Sequence, residues 1–162
     1  MFLLTEKGEV LKEMAEYAFG SIESACEGLT EKELDWKPVP ESNNARWILN
    51  HLARLTNQSL PRIIKGDQSY NPEGWPEDYR DQTYTMEKMM GDINAGKGAV
   101  LEGLEKLTSA DLEADIPMWR GTRQRKVGVY AYIGELINHK GQIVMLRGNI
   151  KRRREQDPDF LK

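Results

Sequence analysis

This chain has almost no thiol chemistry to draw on: Cys26 is its only cysteine. A single cysteine excludes an intrachain disulfide and a thiolate-rich metal site within one chain, and it suits a reducing compartment. Its expected role is that of a small buried apolar residue. Histidine is nearly as scarce, with only His51 and His139. No apolar run approaches the ~20 residues of a membrane span. Met1 to Leu4 is too short for the apolar centre of a signal peptide, and acidic Glu6 and Glu9 follow it. The expected location is therefore cytoplasmic, with no membrane partner. Net charge is only −3, so there is no global basic field and nucleic acid is not an expected partner.

The content that remains is that of an ordinary globular chain. Of its 162 residues 39% are hydrophobic and 30% charged, and at this length roughly 70% of the unfolded surface can be buried on folding. One domain over residues 1–162 is expected. Cations gather at Lys151, Arg152, Arg153 and Arg154, and more loosely at Arg120, Arg123, Arg125 and Lys126. Both groups read as a solvated helix end and a loop, the first also favoured by the helix dipole.

Four segments carry apolar residues at three- and four-residue spacings. The first, about Thr5 to Glu27, uses Val10, Leu11, Met14, Ala18, Ile22 and Ala25 and stops at Gly28. A connector with Pro38 and Pro40 ends in Ser42, Asn43 and Asn44, all N-cap candidates. The second helix runs from Ala45 to about Lys65, and Pro61 is expected to kink or restart it, with Ser59 as cap in the second case. After Gly66 comes a long loop around Asn71 to Pro76, a length at which connections often pack over a site. The third helix spans about Thr85 to Leu107, with glycines that suggest close helix approach; the fourth carries Val129, Tyr132, Ile133, Leu136, Ile143, Leu146 and Ile150. No strand shows convincing alternation. Four such helices cover their stripes by packing as an all-α four-helix bundle.

Both histidines fall on inward faces. His51 follows Ile48 by three residues and precedes Leu55 by four, and His139 lies between Leu136 and Ile143. Glu135 stands one turn before His139, so its carboxylate projects from the same face. Two imidazoles and a carboxylate can hold zinc, nickel, iron or manganese with positions open for water or substrate. Asn50, Asn138, Gln142 and Tyr132 are the polar residues placed to orient these ligands. Trp75 and Trp119, both in connectors, are candidates for a pocket rim. The alternative is a pair of core histidines bonded to backbone or to each other, with Glu135 as a partner.

The segment Leu29-Thr30-Glu31-Lys32-Glu33-Leu34-Asp35-Trp36-Lys37-Pro38, followed by Ala45-Arg46-Trp47-Ile48-Leu49-Asn50-His51-Leu52, resembles the end of helix one, the connector and the second helix of DinB-like proteins. Glu135-Leu136-Ile137-Asn138-His139-Lys140-Gly141-Gln142 resembles their last-helix motif, usually His-x-x-x-His-Arg-Gly-Gln. The resemblance implies an up-up-down-down bundle with a long crossover, often a homodimer, holding a divalent metal on three histidines. It carries His51 over as the first ligand and His139 as the last, and it puts Glu135 where the middle histidine stands and Lys140 where Arg is common. Relatives of this kind include thiol-dependent transferases and isomerases. The implied function is therefore a metal-dependent enzyme, with zinc or nickel first and iron or manganese next, that activates a low-molecular-weight thiol or water against a small-molecule substrate. Glu135 would act there as ligand or as general base. The rival is a non-catalytic dimeric bundle, ligand-binding or stress-related, whose metal site is degenerate.

Overall fold

A computed structural model describes residues 6–162. The expected helix start at Thr5 and the Met1–Leu4 stretch lie outside the described residues. Helix α1 covers Glu6–Cys26. Its buried face is Leu11, Ala15, Ala18, Phe19, Ile22, Ala25 and Cys26, whereas Val10 and Met14 are 53% and 41% exposed. Leu11, Ala18, Ile22 and Ala25 thus face inward as expected, and Ala15 and Phe19 rather than Val10 and Met14 complete the stripe, Phe19 bringing more apolar area to the core than Met14. The helix stops just before Gly28, whose φ of +76° reverses the chain.

The connector contains one unexpected helical turn, α2 (Glu31–Leu34). Thr30 caps the Glu33 amide, and the Glu33 carboxylate accepts the Thr30 amide in return. Asn44 then caps α3 (Ala45–Arg54). No Ser59 cap restarts the helix before Pro61; the interruption there is a π turn. Leu55–Ser59 forms a π turn that leads directly into α4 (Leu60–Lys65), and Ser59 keeps helical angles and caps nothing. The Leu60 amide reaches back five residues to the Leu55 carbonyl. That wider turn accommodates the proline ring, which cannot donate a hydrogen bond of its own. Gly66, at φ +68°, ends α4.

Helix α5 (Met86–Glu105) is capped by Thr85. A short α6 (Ser109–Glu113) precedes a hairpin that corrects the expectation of no strands: β1 (Asp115–Met118) pairs antiparallel with β2 (Gly121–Gln124). Its two-residue turn, Trp119–Arg120, has positive φ at both positions. Such turns usually read Asn-Gly, so a Trp-Arg turn between two four-residue strands leaves no recognisable signal. Helix α7 (Arg125–Gln156) starts at once and runs for 32 residues. The chain is mostly helical, as expected, with this one hairpin added.

Specific contacts give the helix directions. Ala25 accepts from Arg147, while Val10 lies with Tyr130 in one apolar recess, so α1 and α7 are parallel. Lys12 pairs with Glu105 and Lys97 with Glu23, so α5 opposes α1. His51 faces Glu135 and Ile63 meets Gly128, so α3–α4 opposes α7. Thr56 and Ile64 meet Gly96 and Gly103, so α3–α4 and α5 are parallel. The order is up, down, down, up, and the expected up-up-down-down order is corrected. The reason lies in the two connectors. Residues 27–44 turn back at one end, while the long crossover 66–85 carries the chain along the molecule to that same end. There Arg46 holds both connectors: its guanidinium binds Asp35 through two nitrogens at 2.6 and 2.9 Å, binds Glu31 at 3.1 Å and donates to the Tyr84 carbonyl.

Glycines permit the closest helix contacts. A Cβ added at Gly128 would sit 2.8 Å from Ile63 Cγ2, with two more Ile63 atoms at 3.0 and 3.1 Å. At Gly91 the same atom meets nothing within 4 Å. Gly128→Ala is therefore expected to cost about 1–3 kcal/mol through overpacking against a stiff β-branched side chain. Gly91→Ala should instead gain up to ~1 kcal/mol from helix propensity. Urea unfolding of the two variants against the parent measures both signs.

Candidate metal centre

The antiparallel contact of α3 with α7 brings the two histidines together. Their rings lie 4.7 Å apart, centroid to centroid, at 72°. Glu135 Oε2 stands 3.3 Å from His139 Nε2 and 3.9 Å from His51 Nε2, and donor atoms of all three residues lie within 4.8 Å of one another. Two donors ~2.1 Å from one tetrahedral ion are ~3.4 Å apart. The His139–Glu135 gap is already at that spacing, and the Glu135 side chain, 48% exposed, is free to close on His51.

The two imidazoles are held differently. His139 is buried, and its Nδ1 sits 3.1 Å from the Gln142 side-chain oxygen. With that oxygen as acceptor, Nδ1 donates to Gln142, and Nε2, 3.3 Å from Glu135, is the nitrogen left for a cation. Among the described residues the buried His51 Nδ1 has no hydrogen-bond partner, and Nε2 faces only Glu135 at 3.9 Å. The ring stacks instead on Trp47, one turn earlier on α3, at 5.4 Å and 11°. The Arg80 guanidinium lies over the same indole, 5.7 Å from its centroid. Burial, the neighbouring His139 and the cations Arg54 and Arg80 lower the His51 pKa to about 4, with Glu135 acting in opposition. His51 is thus a neutral imidazole near pH 7, the form a cation binds.

Of the polar residues expected around the ligands, only Gln142 touches one. Asn50 donates to the Arg80 and Gln82 carbonyls and so pins the crossover onto α3. Asn138 is exposed, and the Tyr132 hydroxyl accepts from Trp119. Neither candidate rim tryptophan touches the triad, since Trp75 stacks on Tyr79 and Trp119 meets Tyr132. Trp47 and Arg80 were not anticipated. The four-residue spacing of Trp47 from His51 was a visible signal for the first, whereas Arg80 arrives from a loop that has no periodicity. Cys26 is buried, and burial pushes its thiol up to about 11, so it remains a neutral apolar residue as expected. The cationic run is only partly solvated. Arg154 pairs with buried Glu33 at 2.6 Å, and Arg153 lies over Trp36 and Phe160.

Residues 15–143 match the model of the DinB superfamily. The chain belongs to the DinB superfamily. No curated protein matches it. Among solved structures, the fold of this DinB-superfamily chain is similar to one described as the crystal structure of the conserved protein of locus from Enterococcus faecalis. That likeness has a TM-score of 0.65 and covers 86% of this chain and 94% of the other, at 17% identity, so it speaks to fold alone. The donor set suits the divalent metal that membership implies: two imidazoles, one held neutral and one oriented by a side-chain amide, face a carboxylate. No helix among the described residues is long and apolar enough to cross a membrane.

The depressed basicity of His51 has a consequence for the metal-free protein. Its folded pKa of about 4 lies below the unfolded value near 6.5, so only the unfolded chain binds this proton between those two values. The full contribution is present above pH 6.5 and is lost as pH falls toward 4, a change on the order of 3 kcal/mol. Urea unfolding of metal-free protein across that window should show the loss, and His51→Leu should flatten it.

Proposed function

We propose that this chain is a divalent-metal-dependent enzyme that activates a low-molecular-weight thiol or water for transfer or hydrolysis on a small molecule. His51, Glu135 and His139 are its ligands, and zinc or nickel is the expected ion. The observation that carries the reading is a pair of imidazoles facing one carboxylate while the buried His51 Nδ1 has no hydrogen-bond partner among the described residues. When bound, the ion supplies Lewis acidity that makes a thiol or water a nucleophile near neutral pH. The protein's part is positional. Gln142 sets the tautomer of His139, and Trp47 fixes the plane of the His51 ring and covers one of its faces. Glu135, the most exposed of the three, serves as ligand or, uncoordinated, takes the proton of the incoming nucleophile. The helix directions support a single-domain four-helix bundle as the scaffold. A lone buried Cys26 suits a cytoplasmic setting.

One observation favours a second reading, a non-catalytic bundle with a degenerate site. Glu135 stands where the family motif usually has histidine, and its side chain is about half exposed. Metal content separates the two. After loading with zinc or nickel and desalting, the parent is expected to retain about one equivalent by mass spectrometry, and a His51→Ala/His139→Ala variant none. A parent that retains no metal supports the second reading. If metal is retained, Glu135→Ala should weaken its binding and lower thiol-dependent turnover together, with losses on the order of 10- to 100-fold.

A further inference from the structure

Two guanidinium groups flank the candidate metal centre, and neither is closely paired within the chain. Trp47, His51 and Arg54 follow one another along one stripe of α3 at spacings of four and three residues. Arg54 Nε donates to the Gln58 side chain at 3.0 Å, and Gln58 donates in turn to Asn71 of the crossover at 2.7 Å. The two Nη groups of Arg54 have no hydrogen-bond or carboxylate partner among the described residues. Arg80 reaches the other end of the stripe from the crossover, where buried Asn50 donates to its carbonyl at 3.3 Å. Its guanidinium lies over Trp47 and comes no nearer to a carboxylate than 4.0 Å, at exposed Asp81. Both cations act electrostatically on His51.

Arginines with a structural task look different. Arg46 holds Asp35 and Glu31, Arg154 meets buried Glu33 at 2.6 Å, and Arg125 lies 3.6 Å from Asp111. A cation over a partly exposed indole is only weakly held there, which accounts for Arg80 in part and for Arg54 not at all. Two cations beside a site for a divalent ion also raise the energy of that ion. Glu135 is the one carboxylate within 4 Å of either imidazole among the described residues. Its side chain is 48% exposed, so the centre opens to solvent along this edge and a second anion can approach.

We propose that Arg54 and Arg80 make the open position of the metal centre selective for an acidic small molecule: the reactant that meets the ion carries a carboxylate beyond its metal-bound atom, and a guanidinium takes that carboxylate. The inference rests on the metal-dependent reading given above and adds the charge of the reactant. Residues one turn apart on a helix have Cβ atoms about 5–6 Å from each other, so a carboxylate three carbons beyond a bound sulfur is long enough to pass from the ion to Arg54. A guanidinium offers a carboxylate two parallel N–H donors, and in Arg54 the Nη groups are left for that fork. Both cations are in place before a ligand arrives. Gln58 holds Arg54, and Asn50 with Trp47 holds Arg80, so little ordering is lost on binding.

Nickel-loaded full chain titrated with 4-mercaptobutanoate and with 4-mercaptobutan-1-ol tests this, because the two thiols share a carbon chain and differ in the charge of the far group. The thiolate-to-nickel charge-transfer band gives each dissociation constant, and metal content by mass spectrometry after desalting checks that the ion stays. In the parent the anionic thiol is expected to bind on the order of 10- to 100-fold more tightly. Arg54→Gln/Arg80→Gln should bring that ratio to about 1. Arg54→Lys/Arg80→Lys, which keeps both charges, should retain most of it. The ratio isolates the far charge, since a change in folding or in metal affinity acts on both thiols alike. A parent that binds the two thiols equally, or a ratio that survives in Arg54→Gln/Arg80→Gln, overturns the anion site and leaves the metal reading standing. A parent that retains no nickel, or retains it and shows no band with either thiol, overturns the metal and thiol reading and this inference with it.

Discussion

The guanidinium of Arg46 fixes the end of the molecule at which the chain's connections meet. It lies at the start of α3, largely buried, and binds the carboxylates of Asp35 and Glu31 and the carbonyl of Tyr84. Those three partners belong to the first connector and to the last residues of the crossover, so one planar cation joins two segments that are far apart in sequence. The second oxygen of Glu31 accepts the Met86 amide, where α5 begins. The direction of α3, and with it the face on which His51 is presented to α7, follows from this junction.

The family's usual three neutral ligands leave a divalent ion with its full charge. As a ligand in the proposed centre, Glu135 would remove one unit of it and temper the acidity of whatever binds in the open position. Trp47 and Arg80 act in the opposite sense, since the stack desolvates one face of the His51 ring and the guanidinium adds a positive field. With a divalent ion bound as proposed, the centre would be less charged at the ion and more positive at its edge than the family motif alone describes.

The residues that were legible in the sequence are those whose role repeats along a helix. His51, Glu135 and His139 share the periodicity of Ile48, Leu55, Leu136 and Ile143, and that is enough to bring them together where α3 meets α7, with Glu135 at the exposed edge. Elements without periodicity were hidden. The hairpin is four residues to a strand with a Trp-Arg turn, and α2 is a single turn whose capping box lies in a stretch dominated by Pro38 and Pro40. Helix direction was hidden as well, because it depends on which end of the molecule a connector returns to, and that is decided by the long-range contacts of Arg46. The outward pair Val10 and Met14 reads as core for a related reason: periodicity shows that a face is apolar, not which body it faces.

The π turn at Leu55–Ser59 acts on the site from a distance. His51 and Ile63 are twelve residues apart, which in an uninterrupted α-helix would rotate them about 120° from each other. One residue absorbed by the wider turn leaves an effective separation of eleven and a rotation of about 20°, and both side chains do meet α7, at Glu135 and at Gly128. The extra residue is a phase corrector. In a regular helix Arg62, eleven residues after His51, would take the place on the seam; the wider turn puts Ile63 there instead, so an apolar side chain meets Gly128.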